Sequence, residues 1–189
     1  NLKNPPTFNS YSETIAKNII KYYSDNNLKI PTLILEPGSS VVADSVYFIS
    51  KIYEIRKVMN TNIIQTYVGR HLISPTNKEV LFPVKVLSFK NKTLNKNKIK
   101  REYLVSGYTC IESDIISKIN LEYEINEIDN FILISNVGSY SIVMGSNFIM
   151  PQPAIFQISN NKIKIIRDEI SVESIYNSFQ NWSNVKEIF

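Results

Sequence analysis

The sequence predicts a mainly β fold, a β-sandwich or small barrel over residues 39–189, preceded by one αβ unit over residues 1–38. Three observations predict it. From Val41 onward, short segments rich in Val, Ile, Tyr and Phe succeed one another between turn signals, the texture of an all-β domain. Residues 10–35 show a helical period and then a short run that is apolar almost throughout, as a strand covered on both faces reads. The length of 189 residues gives a domain with a full core, yet it is below the roughly 200 or more residues of a complete (β/α)8 barrel.

After the turn Pro5-Pro6-Thr7, a helix is expected over residues 10–24. Ser10 and Glu13 are spaced as a capping box, and Ile15, Ile19, Tyr22 and Tyr23 recur on one face. Asn26-Asn27 ends it. The run Ile30-Pro31-Thr32-Leu33-Ile34-Leu35 reads as a buried parallel strand closed by Glu36-Pro37-Gly38-Ser39-Ser40. Strand-like segments are expected over 41–58, 62–68, 82–90, 98–106, 131–136, 154–158 and 162–166, with turns at 91–96 and at Asn160-Asn161. A terminal helix is expected over 171–182. Ser171 suits its N-cap, and Glu173 sits where the helix dipole favours a negative charge.

Composition narrows the function. The net charge is +4, and much of the excess lies in Lys90, Lys92, Lys96, Lys98, Lys100 and Arg101. Asn and Thr interleave this run rather than exposed aromatics, so it reads as a solvated turn and no nucleic-acid partner is expected. No apolar stretch has the ~20 residues of a membrane helix, and residues 1–6 do not resemble a signal peptide. A single cysteine, Cys110, excludes an internal disulfide and suits a reducing compartment, so a cytoplasmic protein is expected. One histidine, His71, has no second His or Cys near it in sequence, so no metal is expected. There is no P-loop, no G-x-G-x-x-G and no G-x-S-x-G.

Three segments could carry chemistry. Glu36 would stand at the C-terminal end of a parallel strand, where α/β enzymes place reacting groups, and Gly38 lets a ligand approach the backbone. The competing reading is an ordinary strand-terminating turn. In Ser106-Gly107-Tyr108-Thr109-Cys110-Ile111-Glu112-Ser113-Asp114, a lone cysteine is commonly a small buried hydrophobe. The glycine before it and the two acids after it suit instead a loop serving a polar site. The acids could bind an ammonium group or cap a helical turn begun by Asp114. In Asn136-Val137-Gly138-Ser139-Tyr140, backbone N–H groups and a phenol could meet an anion such as phosphate, or the tyrosine could simply pack at a turn.

Taken in order, these segments resemble the second half of the fold-type III pyridoxal-phosphate decarboxylases that act on diaminopimelate, ornithine and carboxynorspermidine. Residues 7–23 resemble the last barrel helix, and Leu33-Ile34-Leu35-Glu36-Pro37-Gly38 resembles a strand ending in E-P-G-R. Gly107, Cys110 and Asp114 resemble G-x-x-C-x-x-x-D, and Gly138-Ser139-Tyr140 resembles G-A-Y. Asn147, Phe148, Pro151, Pro153 and Ala154 resemble the stretch after G-A-Y, and the run Ile165-Ile166-Arg167-Asp168-Glu169 resembles the family's C-terminal end. The resemblance implies the last αβ unit of a barrel (1–38) and a C-terminal β domain (39–189).

It also implies pyridoxal 5'-phosphate as cofactor and a homodimer with shared sites acting on a small amino-acid-type substrate. Glu36 would face the pyridinium nitrogen; Gly38, Ser39 and Tyr140 would hold the phosphate; Cys110 would reach the partner subunit's site as a proton donor, with Glu112 as the nearest acid. Two positions depart from the pattern. Ser39 replaces an Arg and cannot supply its charged fork, and Ile111 stands where an acid commonly comes directly after the Cys. The Schiff-base lysine half of the family is absent from these residues, so the chain alone is expected to be inactive. The alternative is a non-catalytic relative whose β domain serves dimerisation or regulation of an active decarboxylase.

Overall fold

The computed structural model describes residues 6–76, 80–88, 100–123, 125 and 130–179. It divides into two units, Asn1–Pro37 and Gly38–Phe189.

The first unit is built on helix α1, Phe8–Asp25. It starts two residues earlier than the spacing predicts. Thr7, not Ser10, is the N-cap, its hydroxyl accepting from the Ser10 N–H at 3.2 Å. Glu13 therefore has no capping role; it pairs with Lys17 one turn on, at 3.2 Å. Residues 30–37 carry no strand, which corrects the expected β-segment at Ile30–Leu35. A strand exists only by pairing, and none of the described residues of this unit pairs with it. Ile34 is left 79% exposed.

The second unit opens with a four-residue turn of helix, α2, Ser39–Val42, and a 3-10 turn, Ala43–Ser45. The strand-like texture expected from Val41 thus begins only at β1, Phe48–Val58. Next come β2, Thr61–Thr66; α3, Arg70–Ile73; β3, Val84–Ser88; β4, Arg101–Ser106; β5, Ile115–Leu121; and β6, Asn130–Ile134. These six strands form one sheet in the order β3-β6-β1-β2-β4-β5. All neighbours are antiparallel except β2 and β4. Strand β5 is absent from the sequence-based expectation: the acids and Ser of 112–114 read as a loop or helical turn, and Asp114 leads into the strand instead. The expected turn at 91–96 and the last residues of the expected terminal helix lie outside the described residues.

Period-two alternation supplies the core. Ile52, Ile64, Val105, Ile116, Ile132 and Ile134 point to one side of the sheet, each fully buried. Val68 and Val137 from the loops and Ile73 from α3 close over them. Burial of such side chains contributes about 1.5–3 kcal/mol each. The sheet curls until its edges meet. The Phe82 N–H, just before β3, donates to Ile116 O of β5 at 3.1 Å, and Ser117 Oγ donates to Phe82 O at 2.6 Å. This is the expected barrel-like β architecture, in curled half-barrel form.

Arg70 fastens that seam. It is 5% exposed, and its guanidinium donates to Ile115 O at 2.5 Å and to Val80 O at 2.6 Å. The cation also lies 5.8 Å from the centroid of the Phe82 ring. Burial pulls its pKa below the ordinary arginine value, with the Asp114 carboxylate opposing.

Beyond the sheet, β7, Ile155–Ser159, and β8, Lys162–Arg167, form a separate hairpin. Its turn is Asn160-Asn161, as expected, with both residues at positive φ. Helix α4, Val172–Phe179, begins behind Ser171, whose Oγ accepts from the Ser174 N–H at 3.0 Å.

Replacing Arg70 with Leu leaves two carbonyls at the seam without their donor. Urea unfolding of Arg70→Leu is expected to show a loss of roughly 2–4 kcal/mol, with Arg70→Lys recovering only part, because an ammonium cannot fork to both oxygens. An Arg70→Leu midpoint equal to that of the parent refutes the clamp.

Candidate active site

Two loops on the second unit hold three of the predicted site residues, Tyr140, Cys110 and Glu112. The first comes after β6. Gly138 lies so close to the 42–46 segment that an added Cβ would meet Val42 O at 1.8 Å. Its N–H donates to Ala43 O at 2.9 Å, and the Val137 N–H donates to Val46 O at 3.3 Å. Only glycine fits, and the loop is thereby pinned to α2. Two residues on, Tyr140 has φ of 60°, a left-handed backbone that costs a bulky residue about 1–2 kcal/mol. Ser141, buried beneath it, donates its hydroxyl to Val137 O and closes the turn.

The outcome is a hydroxyl aimed at a glycine. A Cβ on Gly38 would stand 3.3 Å from Tyr140 Oη. Gly38 directly precedes α2, so its backbone lies beside a phenol that is itself half-exposed. Gly38 and Tyr140, about a hundred residues apart in the sequence, are thus brought together, with Ser39 next to Gly38 in the chain. Glu36 lies in the first unit and is exposed.

The second loop, 107–114, joins β4 to β5. Cys110 is exposed, which decides against a buried small hydrophobe, and Ile111 and Glu112 are exposed beside it. Asp114 begins no helical turn; it leads into β5 and caps the start of α3 instead. It is 5% exposed, and its carboxylate accepts from the Arg70 N–H at 2.6 Å, the Thr109 N–H at 3.1 Å and the Thr109 hydroxyl at 2.6 Å.

His71 and Tyr108 also meet here, although nothing in their spacing of 37 residues marks them as partners. Tyr108 Oη lies 3.1 Å from His71 Nε2 and donates to Phe148 O at 3.1 Å. With the one hydroxyl hydrogen committed to that carbonyl, His71 Nε2 carries its own proton and donates to the phenol. The Phe148 ring meets the His71 ring edge-on at 5.8 Å. This cluster joins the cysteine loop to the segment after Tyr140. Among the described residues, no three His, Cys, Asp or Glu side chains gather as a metal site would require, and no helix is long and apolar enough to cross a membrane.

No protein-family model matches the chain. Over 168 residues it is 26% identical to a diaminopimelate decarboxylase of Methanocaldococcus jannaschii, a match covering 88% of this chain and 36% of that protein. The solved diaminopimelate decarboxylase of M. jannaschii in complex with L-lysine superposes with a TM-score of 0.76, at 24% identity, over 95% of this chain and 39% of that one. The chain has the fold of the C-terminal portion of the diaminopimelate decarboxylases. A carboxynorspermidine decarboxylase of Campylobacter jejuni shares that fold at a TM-score of 0.59 and 18% identity, over 89% of this chain and 45% of that one. The chain therefore spans somewhat over a third of the length of the diaminopimelate decarboxylases it matches.

The cluster has a pH signature. Burial, partly countered by the Asp114 carboxylate, lowers the His71 pKa from 6.5. Its stabilising contribution is full above 6.5 and is lost as pH falls through the folded-state value, because the unfolded chain there binds more protons. Burial and then the Asp114 charge push Tyr108 from 10.0 up to about 12; its contribution is full below 10.0 and disappears as pH rises through about 12. Denaturant midpoints measured from about pH 7.5 down to 5 should fall in the parent and flatten in His71→Gln. Parallel profiles for the two proteins contradict the assignment.

Proposed function

We propose that this chain is part of a pyridoxal-phosphate-dependent amino-acid decarboxylase. The observation that carries the reading is the pairing of the Gly38 backbone with the Tyr140 hydroxyl on a diaminopimelate-decarboxylase fold. An anion the size of a phosphate needs N–H and O–H donors around a space no side chain fills. Gly38, Ser39 and Tyr140 would supply those donors, and the missing Cβ of Gly38 keeps its backbone open to a ligand.

When bound, the cofactor supplies an electron sink for the pair released as carbon dioxide leaves. The chain's own residues do the rest. Glu36 keeps a proton on the pyridinium nitrogen through a charge-assisted hydrogen bond. Cys110, exposed at its loop tip, reaches the partner subunit's site and delivers a proton to the substrate α-carbon. Glu112, beside it, takes the substrate's ammonium group. The active form is a homodimer in the cytoplasm, and the substrate is a small amino acid. Residues 1–38 act as the last αβ unit of the barrel, where residues 30–37 gain their strand partners, and residues 39–189 form the β domain. The hairpin face of Phe156, Ile158, Ile163 and Ile165, each at least 54% exposed, is then covered by the rest of the enzyme.

Ser39 and Ile111 favour a second reading, a non-catalytic relative that regulates an active decarboxylase by pairing with it. The complete protein carrying this sequence separates the two. Mixed with pyridoxal phosphate, it should gain visible absorbance and release carbon dioxide from a diamino acid such as diaminopimelate. Tyr140→Phe should weaken cofactor binding roughly tenfold, the effect of one hydrogen bond to a charged group. A folded complete protein that binds no cofactor ends the enzymatic reading; cofactor-free association with an active decarboxylase establishes the second.

A further inference from the structure

Asp114 holds its loop in a way that bears on the thiol at the tip. The loop closes on itself: the Gly107 N–H donates to Asp114 O, and the Asp114 N–H donates to Ile111 O, both at 2.9 Å. The carboxylate then divides its two oxygens between two elements. Oδ2 takes both donors of Thr109, the residue directly before Cys110. Oδ1 takes the N–H of Arg70, which opens α3 and clamps the sheet seam. Thr109 Oγ1 in turn accepts from the Ile111 N–H at 3.3 Å, on the far side of Cys110. The fit is close enough that a Cβ on Gly107 would stand 2.2 Å from Asp114 Oδ2. Cys110 is thus bracketed on both sides by groups that lead to one buried carboxylate, while its own side chain is exposed.

We propose that Asp114 is a positioning residue that sets where the Cys110 thiol stands relative to the rim of the curled sheet. Its use in catalysis rests on the proposed role of Cys110; the positioning itself does not. Thr109 is the intermediate. Its hydroxyl receives its orientation from Asp114 and passes it to Ile111, so the tip moves as one body with the start of α3.

The test uses the complete protein and three variants, Thr109→Val, Thr109→Ser and Asp114→Asn. Asp114→Asn keeps one acceptor oxygen and turns the other position into a donor facing donors. Amide hydrogen exchange over residues 109–111 reports the loop directly, and alkylation of Cys110 by iodoacetamide, tracked at its own peptide, reports the thiol. Thr109→Val should speed exchange at Ile111 about tenfold, as expected for loss of one hydrogen bond. It should also change the alkylation rate several-fold and lower kcat with little change in KM, and Thr109→Ser should restore all three. Asp114→Asn should act in the same direction and more strongly. If it does not fold, the Thr109 pair still decides. Parent-like exchange and alkylation in Thr109→Val overturn the proposal. Altered exchange and alkylation with unchanged kcat uphold the positioning and instead remove Cys110 from catalysis.

Discussion

A six-stranded sheet with two open edges must protect the unpaired N–H and C=O groups along them. This protein curls the sheet and fastens the edges with a buried guanidinium. Arg70 reaches one carbonyl at the start of β5 and another just before β3, while its own N–H is held by Asp114. Burying a cation is costly unless nearly every donor is used, and a guanidinium can spread its charge over several carbonyls in a way an ammonium cannot. Because Arg70 also opens α3, the seam, the short helix with His71 and the cysteine loop depend on one residue. Movement at the seam would be felt at all three.

On the same rim, the loop after β6 is held by backbone contact rather than charge. Gly138 against Val42 O brings the loop after β6 down on α2, and the left-handed Tyr140 turns its phenol back towards Gly38. Strain of this kind persists only where the surroundings over-determine it. Here the over-determination is visible: two backbone hydrogen bonds to the 43–46 segment and the buried Ser141 hydroxyl. A strained tyrosine at the surface has no role in packing the core, so its conformation makes sense as a means of placing a hydroxyl.

Much of this is legible in the sequence. The strand pattern of β1, β2, β3, β4 and β6 obeys the period-two alternation that burial enforces, and Gly138-Ser139-Tyr140 stands out as a turn able to meet an anion. The features that escape have specific causes. Strand β5 has Ile115, Ile116, Ile119 and Leu121 but also Ser117, Lys118 and Asn120, and the acids before it suggest a turn. The segment at 30–37 is apolar enough for a strand, but pairing is a property of the neighbour, which the segment's own residues do not encode. Arg70 gives the faintest signal, one cation within Val68-Gly69-Arg70-His71-Leu72-Ile73. Its partners lie 10 and 45 residues away, beyond the reach of any local pattern.

The cysteine loop shows how burial divides labour between similar groups. Asp114 and Glu112 are two residues apart and carry the same functional group. Asp114 is enclosed, and three donors fill its oxygens; to take part in proton transfer or bind an ammonium it would have to surrender bonds that hold the loop together. Glu112 is exposed, on the same tip as the thiol. A carboxylate committed to structure and another open to solvent are what a loop needs if it is to present reactive groups without moving them. Composition alone gives the two acids the same chemistry, and the geometry shows that one is enclosed by donors while the other is open to solvent. The same contrast explains how an exposed cysteine can stand ordered at the tip of a loop: its order comes from the aspartate four residues on.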